Sequence, residues 1–262
     1  VTERCNELPP TNSKEKSVVF ITMHKAGSVF VNGVIRDILT GLGLVHIDFA
    51  QTAFRKGVFE ADYCIERSPL LSTPGYYFGA FRGPYVDSFA DLSKNRLVVQ
   101  VRDPRDCIVS LYFSHRYSHP LPGEGELRDR LIHIRSEISA KAIDSFAMDR
   151  VRTLAKRMAV IRKVLEHYPE TLLLKYEEMV LDFDAWFQKL RKFLGVSMSQ
   201  DDINRYKRAV LPCHEDVNEH KRQVLPGDFR RKLEIETQEA VTRGLQVHLE
   251  HFGYLGSELT AK

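Results

Sequence analysis

The sequence predicts an α/β fold, a central, mainly parallel sheet flanked by helices, with a P-loop-like strand-loop-helix site near its start. Three observations carry this. Short β-branched or apolar runs recur at residues 17–23, 44–47, 76–81, 97–101 and 171–174. Long or helix-patterned stretches separate them, which favours parallel strands joined by crossovers and buried on both faces. Between the first run and the first helical stretch lies a loop of small residues around a lysine, the setting in which a helix N-terminus receives an anion.

The elements follow in order. Residues 1–16 are polar, with Pro9-Pro10 and a Lys/Glu cluster, and read as a tail or linker; residues 17–262 read as a single domain. Ser-Val-Val-Phe-Ile-Thr-Met at 17–23 is a buried strand, and Val31, Val34, Ile35, Ile38 and Leu42 then recur near helical spacing. The stretch 126–168 fits one long helix or two consecutive ones, ended by Pro169, and 185–194 and 234–251 are also helical in pattern. Ligands of such a sheet bind at the carboxyl ends of its strands.

Composition narrows the function classes. With 43% hydrophobic and 28% charged residues the 262-residue chain is an ordinary globular protein, and a formal net charge of +3 gives no footprint for nucleic acid or a membrane surface. Cys5, Cys64, Cys107 and Cys213 form no Cys-x-x-Cys pair and are sparse for a disulfide scaffold, so reduced thiols and a cytoplasmic location are expected. No apolar run approaches the ~20 residues of a membrane span. Ten histidines form no His-Glu-x-x-His or comparable ligand set, so no metal is expected.

Two segments carry chemistry. Thr22-Met23-His24-Lys25-Ala26-Gly27-Ser28 sits at the first strand-to-helix turn: small residues admit a phosphate, Lys25 adds a cation and Ser28 a hydroxyl. It is not a Walker A loop, because the lysine precedes the glycine. By itself it reads equally as a turn with a solvated lysine and a serine helix cap. The second segment, Arg102-Asp103-Pro104-Arg105-Asp106 followed by Ser110, begins where the fourth strand ends. Arginine grips two phosphate oxygens at once and serine adds a directional donor, while the plain alternative is a surface Arg102–Asp106 ion pair.

The pair Thr-x-x-Lys-x-Gly-Ser and Arg-x-Pro-x-Asp-x-x-x-Ser, in this order, resembles the sulfotransferases that use 3′-phosphoadenosine 5′-phosphosulfate (PAPS). Each motif alone is weak; together they are specific. The resemblance implies that Lys25, Ala26, Gly27, Ser28 and the adjoining Val29 face the phosphosulfate end of the donor, and that Arg102 and Ser110 hold its 3′-phosphate. It extends to Leu-Leu-Leu-Lys-Tyr-Glu-Glu-Met at 172–179, whose Tyr176 would lie near adenine, and to a late loop in which Lys221 and Arg222 would close over the 3′-phosphate. There Gln223 and Val224 replace a basic residue and a glycine, and Phe229 a tryptophan. Phe30 stands at a tryptophan position that stacks on adenine.

The resemblance therefore implies an enzyme moving a sulfuryl group from PAPS, leaving 3′-phosphoadenosine 5′-phosphate (PAP), to a hydroxyl or amine of a small-molecule acceptor, with Lys25 stabilising the leaving phosphate. One departure matters. Many members use a histidine after a central strand as the base, and here Phe-Gly-Ala-Phe-Arg-Gly-Pro at 78–84 puts Arg82 in that place. A guanidinium is a poor base, so Arg82 suits an anionic acceptor, the donor or a structural ion pair. His115 is the base candidate, with Asp48 behind it. Adjacent loop residues diverge, which sets His24 apart from Lys25, and His46 and His133 read as structural. Residues 49–75 and 115–130 are expected to shape the acceptor pocket, with Phe49, Phe54, Phe59 and Tyr63 as apolar lining or core. The competing readings are a kinase-like phosphoryl transferase and a nucleotide-binding module without catalysis.

Overall fold

The computed structural model describes residues 7–210 and 224–255. Strand β1 (Val18–Thr22) leads into helix α1 (Ser28–Gly41), followed by β2 (Val45–Ile47), α2 (Phe49–Arg55), α3 (Glu60–Arg67) and β3 (Tyr76–Phe81). Then come β4 (Arg96–Val101), α4 (Pro104–Phe113), α5 (Glu126–Ser139), α6 (Ile143–His167) and β5 (Leu172–Lys175). The rest is helical: α7 (Tyr176–Leu181), α8 (Phe183–Leu194), α9 (Gln200–Val210), α10 (Phe229–Lys232) and α11 (Ile235–His251).

The five strands form one sheet in the order β2-β3-β1-β4-β5, and every pairing is parallel. This is the predicted architecture. β1 lies at the centre, between β3 and β4, and all five of its residues are buried. Alternation divides them: Val19 and Ile21 belong to the core beneath α4, α6 and α11, and Val18 and Phe20 to the core beneath α1, α7 and α8. With no polar face to display, the strand reads as an unbroken apolar run.

The stretch 126–168 resolves into two helices, α5 and α6, with the joint tied to α4 because Tyr112 Oη donates to the Lys141 carbonyl at 2.9 Å. α8 starts at Phe183, two residues before the expected boundary, because the Asp182 side chain accepts from the Ala185 amide at 3.2 Å and caps it. The polar segment before β1 is held at the start of β3: Gly75 N donates to the Glu15 carbonyl at 2.8 Å and Tyr76 Oη to the Pro9 carbonyl at 2.6 Å. Among the described residues no helix is long and apolar enough to cross a membrane.

Candidate active site

The loop after β1 folds tightly because two of its residues take left-handed backbone angles. Lys25 has φ 70° and Gly27 φ 74°. Only Gly27 does this without steric cost, and a Cβ there would lie 3.0 Å from Met179 Cε and 3.1 Å from Tyr176 Cδ2. Lys25 holds the conformation at a cost of about 1–2 kcal/mol, the kind of strain that surrounding structure must enforce. Two contacts enforce it. Arg102 Nη1 donates to the Lys25 carbonyl at 2.9 Å, and Gln100 Nε2 to the Ala26 carbonyl at 2.5 Å. Gln100, on β4, is itself fixed by Trp186, whose indole N–H donates to Gln100 Oε1 at 3.1 Å. An indole can only donate, so the amide has one orientation.

α1 begins at Ser28 with no side-chain cap and no acidic residue in its first turn. Ser28 is thus not the helix cap that the plain reading of the loop allowed; Gly27 occupies the cap position. The Ser28 hydroxyl instead accepts from Arg82 Nε at 3.0 Å. Uncapped amides at a helix start attract an anion. Val29 is 64% exposed, and Phe30 packs toward Trp186 with ring centroids 6.4 Å apart.

The second motif meets the first directly. Arg102 is 3% exposed and Asp106 fully buried, so their 3.7 Å pair is not the surface ion pair of the plain alternative. The guanidinium stacks 4.2 Å from the centre of the Tyr176 ring, and its Nε is buried with no hydrogen-bond partner. Asp106 accepts from the amides of Gly227 at 2.7 Å and Phe229 at 3.0 Å, which brings the late segment against the start of α4. Burial pushes the Asp106 carboxyl up, against the pull of Arg102. Tyr176 Oη donates to the Val224 carbonyl at 2.8 Å. Arg105 faces away from this pair and ties the start of α4 to the end of the chain. It donates to both carboxylate oxygens of Asp103, at 3.0 and 2.6 Å, and to the Tyr254 carbonyl at 3.0 Å. Ser110 lies partly buried on α4. Lys221 and Arg222 lie outside the described residues.

A third group of side chains surrounds the lysine. His115 follows α4 in a single π-helical turn, its ring 5.0 Å from that of His119. Burial first, and then His119, Arg150, Lys25 and Arg135, push its pKa down to about 3. His24, set apart on sequence grounds, belongs with it. It is held well below its ordinary range by burial, then by Arg157, Arg82, His119 and His115. Lys25, though the next residue, is not among these charges. Asp48 caps α2 through the Gln51 amide at 2.8 Å and accepts from Asn32 at 3.1 Å, a structural use of the second base candidate. Phe49 is core, stacked on Phe78 at 5.9 Å. His46 stacks on Tyr77 at 5.1 Å, and His133 pairs with Glu137 on exposed α5. Glu60 receives the Tyr85 hydroxyl and, at 3.3 Å, the Arg82 amide. Sequence reasoning did not single out Arg150, Arg157 or Glu60.

Comparison with known proteins bears on the domain and the fold. A sulfotransferase-domain family model matches residues 87–211, the portion containing Arg102, Ser110, His115 and Tyr176. No curated protein matches the chain. Among solved structures, mouse sulfotransferase SULT7A1 complexed with PAP is 14% identical, with 95% of this chain and 88% of that one covered and a TM-score of 0.63. Retinol dehydratase in complex with androsterone and inactive cofactor PAP is also 14% identical, covering 92% and 82%, at a TM-score of 0.55. At such identities these likenesses speak to the fold. The domain match lies on that fold, and over residues 87–211 the chain is similar to the sulfotransferases.

Proposed function

We propose that the protein transfers a sulfuryl group from PAPS to a hydroxyl or amine of a small-molecule acceptor. The observation that carries this is the 2.9 Å bond from Arg102 to the Lys25 carbonyl, which fastens the two anion-binding motifs into one site. The residues fit a bis-anionic nucleotide. Lys25 and the uncapped start of α1 would take one end, and Arg102, whose buried Nε has no hydrogen-bond partner among the described residues, would take the other together with Ser110 of α4. Tyr176 and Phe30 border the space that adenine would fill. Lys221 and Arg222 are assigned to the 3′-phosphate by resemblance.

In the reaction the acceptor oxygen or nitrogen forms a bond to sulfur as the bond from sulfur to the bridging phosphate oxygen breaks. Lys25 Nζ and the loop amides meet the charge that grows on the departing phosphate. Such contacts act more strongly in the transition state than on the bound donor. His115 is the candidate to take the acceptor proton; burial keeps it neutral at physiological pH, and the same low pKa of about 3 weakens it as a base. Arg82 does not replace it. A guanidinium makes a poor base, and the Arg82 Nε is spent on Ser28. The androsterone bound by retinol dehydratase supports an acceptor of small-molecule size. Buried free thiols at Cys64 and Cys107 suit the cytoplasm.

Titration with PAPS, PAP and ATP tests the reading. Turnover of PAPS with mass gain of one sulfuryl group on an acceptor supports it. Binding of PAP without any turnover favours the non-catalytic module, and preference for ATP favours a kinase.

A further inference from the structure

α6 carries Arg150 and Arg157, seven residues apart, so both side chains leave the same face of the helix. That face borders the catalytic loop. Arg157 is among the charges felt by His24, and Arg150 among those felt by His115. Both residues are partly buried, and among the described residues the Nε of each is buried without a hydrogen-bond partner, while the Arg150 guanidinium stacks 4.9 Å from the centre of the Phe146 ring. Among the described residues neither has a carboxylate within 4 Å, whereas Arg162, one turn further along, pairs with Glu166 at 3.3 Å. The carboxylate nearest in effect to Arg157 is Glu60, and it already receives Tyr85 and the Arg82 amide.

Two guanidinium groups that repel one another, neither in an ion pair and with Glu60 acting only on Arg157, cost stability unless an anion arrives. The two ends of the donor are allotted elsewhere, to Lys25 and to Arg102, on the loops after β1 and β4. What remains on the side of His24 and His115 is the acceptor.

We infer that Arg150 and Arg157 bind an oxyanion of the acceptor, a carboxylate or a phosphate or sulfate ester, and that the enzyme acts on anionic hydroxy or amino compounds. This rests on the sulfuryl-transfer reading and names its substrate class. Planar guanidinium groups suit such oxyanions because each offers paired donors.

The test is calorimetry on the PAP-saturated full chain, titrated with 4-hydroxyphenylacetate, 4-hydroxyphenyl phosphate and the methyl ester of the first. At least one of the two anions is expected to bind tenfold or more tighter than the ester, and comparison of the two identifies the oxyanion. Arg157→Met and Arg150→Met should each erase most of that preference while leaving PAP affinity within twofold. Arg157→Lys, which keeps a charge in nearly the same space, should retain part of it and guards against loss through misfolding. Equal binding of ester and anions, no saturable binding of either anion, or an unchanged preference in both Met variants overturns the inference. A parent protein that does not bind PAP overturns the donor reading instead, and the same titrations without PAP still report on the two arginines.

Discussion

Replacing Arg102 by methionine should do two separable things. The first is structural. The substitution removes a charge-assisted bond to the Lys25 carbonyl and leaves the fully buried Asp106 without its cation. Breaking a buried pair costs about 3–5 kcal/mol. Asp106 keeps its two amide donors from Gly227 and Phe229, which holds the loss near the lower end, about 3 kcal/mol. At roughly 2–4 °C per kcal/mol for a domain of this size, Tm should fall by about 6–12 °C. The second effect is on the donor: a lost charged hydrogen bond of about 1.5–3 kcal/mol weakens PAP by roughly 10- to 100-fold. The double variant Arg102→Met with Asp106→Asn separates them. It removes both charges and keeps one of the two carboxylate acceptors, so most of the stability should return, to within about 1–2 kcal/mol of the parent. PAP affinity should not return. Thermal melts and calorimetry on the parent and both variants decide the matter. A single variant melting within 2 °C of the parent, or a double variant that binds PAP normally, refutes the reasoning.

Three further outcomes are expected. Lys25→Ala should lower the single-turnover rate at saturating PAPS by roughly 10²–10³ while PAP still binds, and a rate within threefold of the parent would remove Lys25 from the chemistry. Because position 25 is left-handed, Lys25→Gly should melt a few degrees above Lys25→Ala; the reverse order would mean that the loop carries no strain. Histidines 24 and 115 are depressed below their ordinary range, so the unfolded chain binds the extra protons, and their contribution to stability is intact above about pH 6.5 and lost as pH falls toward the folded value. Each contributes a slope of up to about 1.4 kcal/mol per pH unit, while Asp48, Asp106 and Glu177, pushed up by burial, act in the opposite direction. The difference between parent and a His24→Gln, His115→Gln variant is therefore the readout, and equal acid slopes would contradict the burial of neutral imidazoles.

The strands were legible because β1, β3 and β4 are buried on both faces, which writes short apolar runs into the sequence, and the half-buried edges β2 and β5 keep shorter runs of the same kind. The lysine loop and Arg102 were legible through residue type and position at strand ends. What escaped was information about faces. α6 alternates arginine with apolar residues, and nothing in that pattern distinguishes Arg162, paired with Glu166 along its own helix, from Arg150 and Arg157, which form no ion pair among the described residues. The backbone reversal at Lys25 escaped too, since it depends on contacts from Arg102 and Gln100, about seventy-five residues away. Conversely, Asp48 looked reactive at a strand end and proved to be a helix cap.

The bond from Gln100 to the Ala26 carbonyl has an effect on the opposite side of the peptide plane. In a trans peptide the carbonyl and the following N–H point in opposite directions, so drawing the Ala26 oxygen down toward β4 turns the Gly27 amide hydrogen away from the sheet. That dipole is aimed before any ligand arrives and need not reorient when charge moves onto a phosphate oxygen. The indole of Trp186, on a helix that touches no reactant, therefore acts at one remove as part of the anion hole. Substituting it would appear as slower chemistry on an otherwise intact donor, an effect on rate originating in the hydrophobic core.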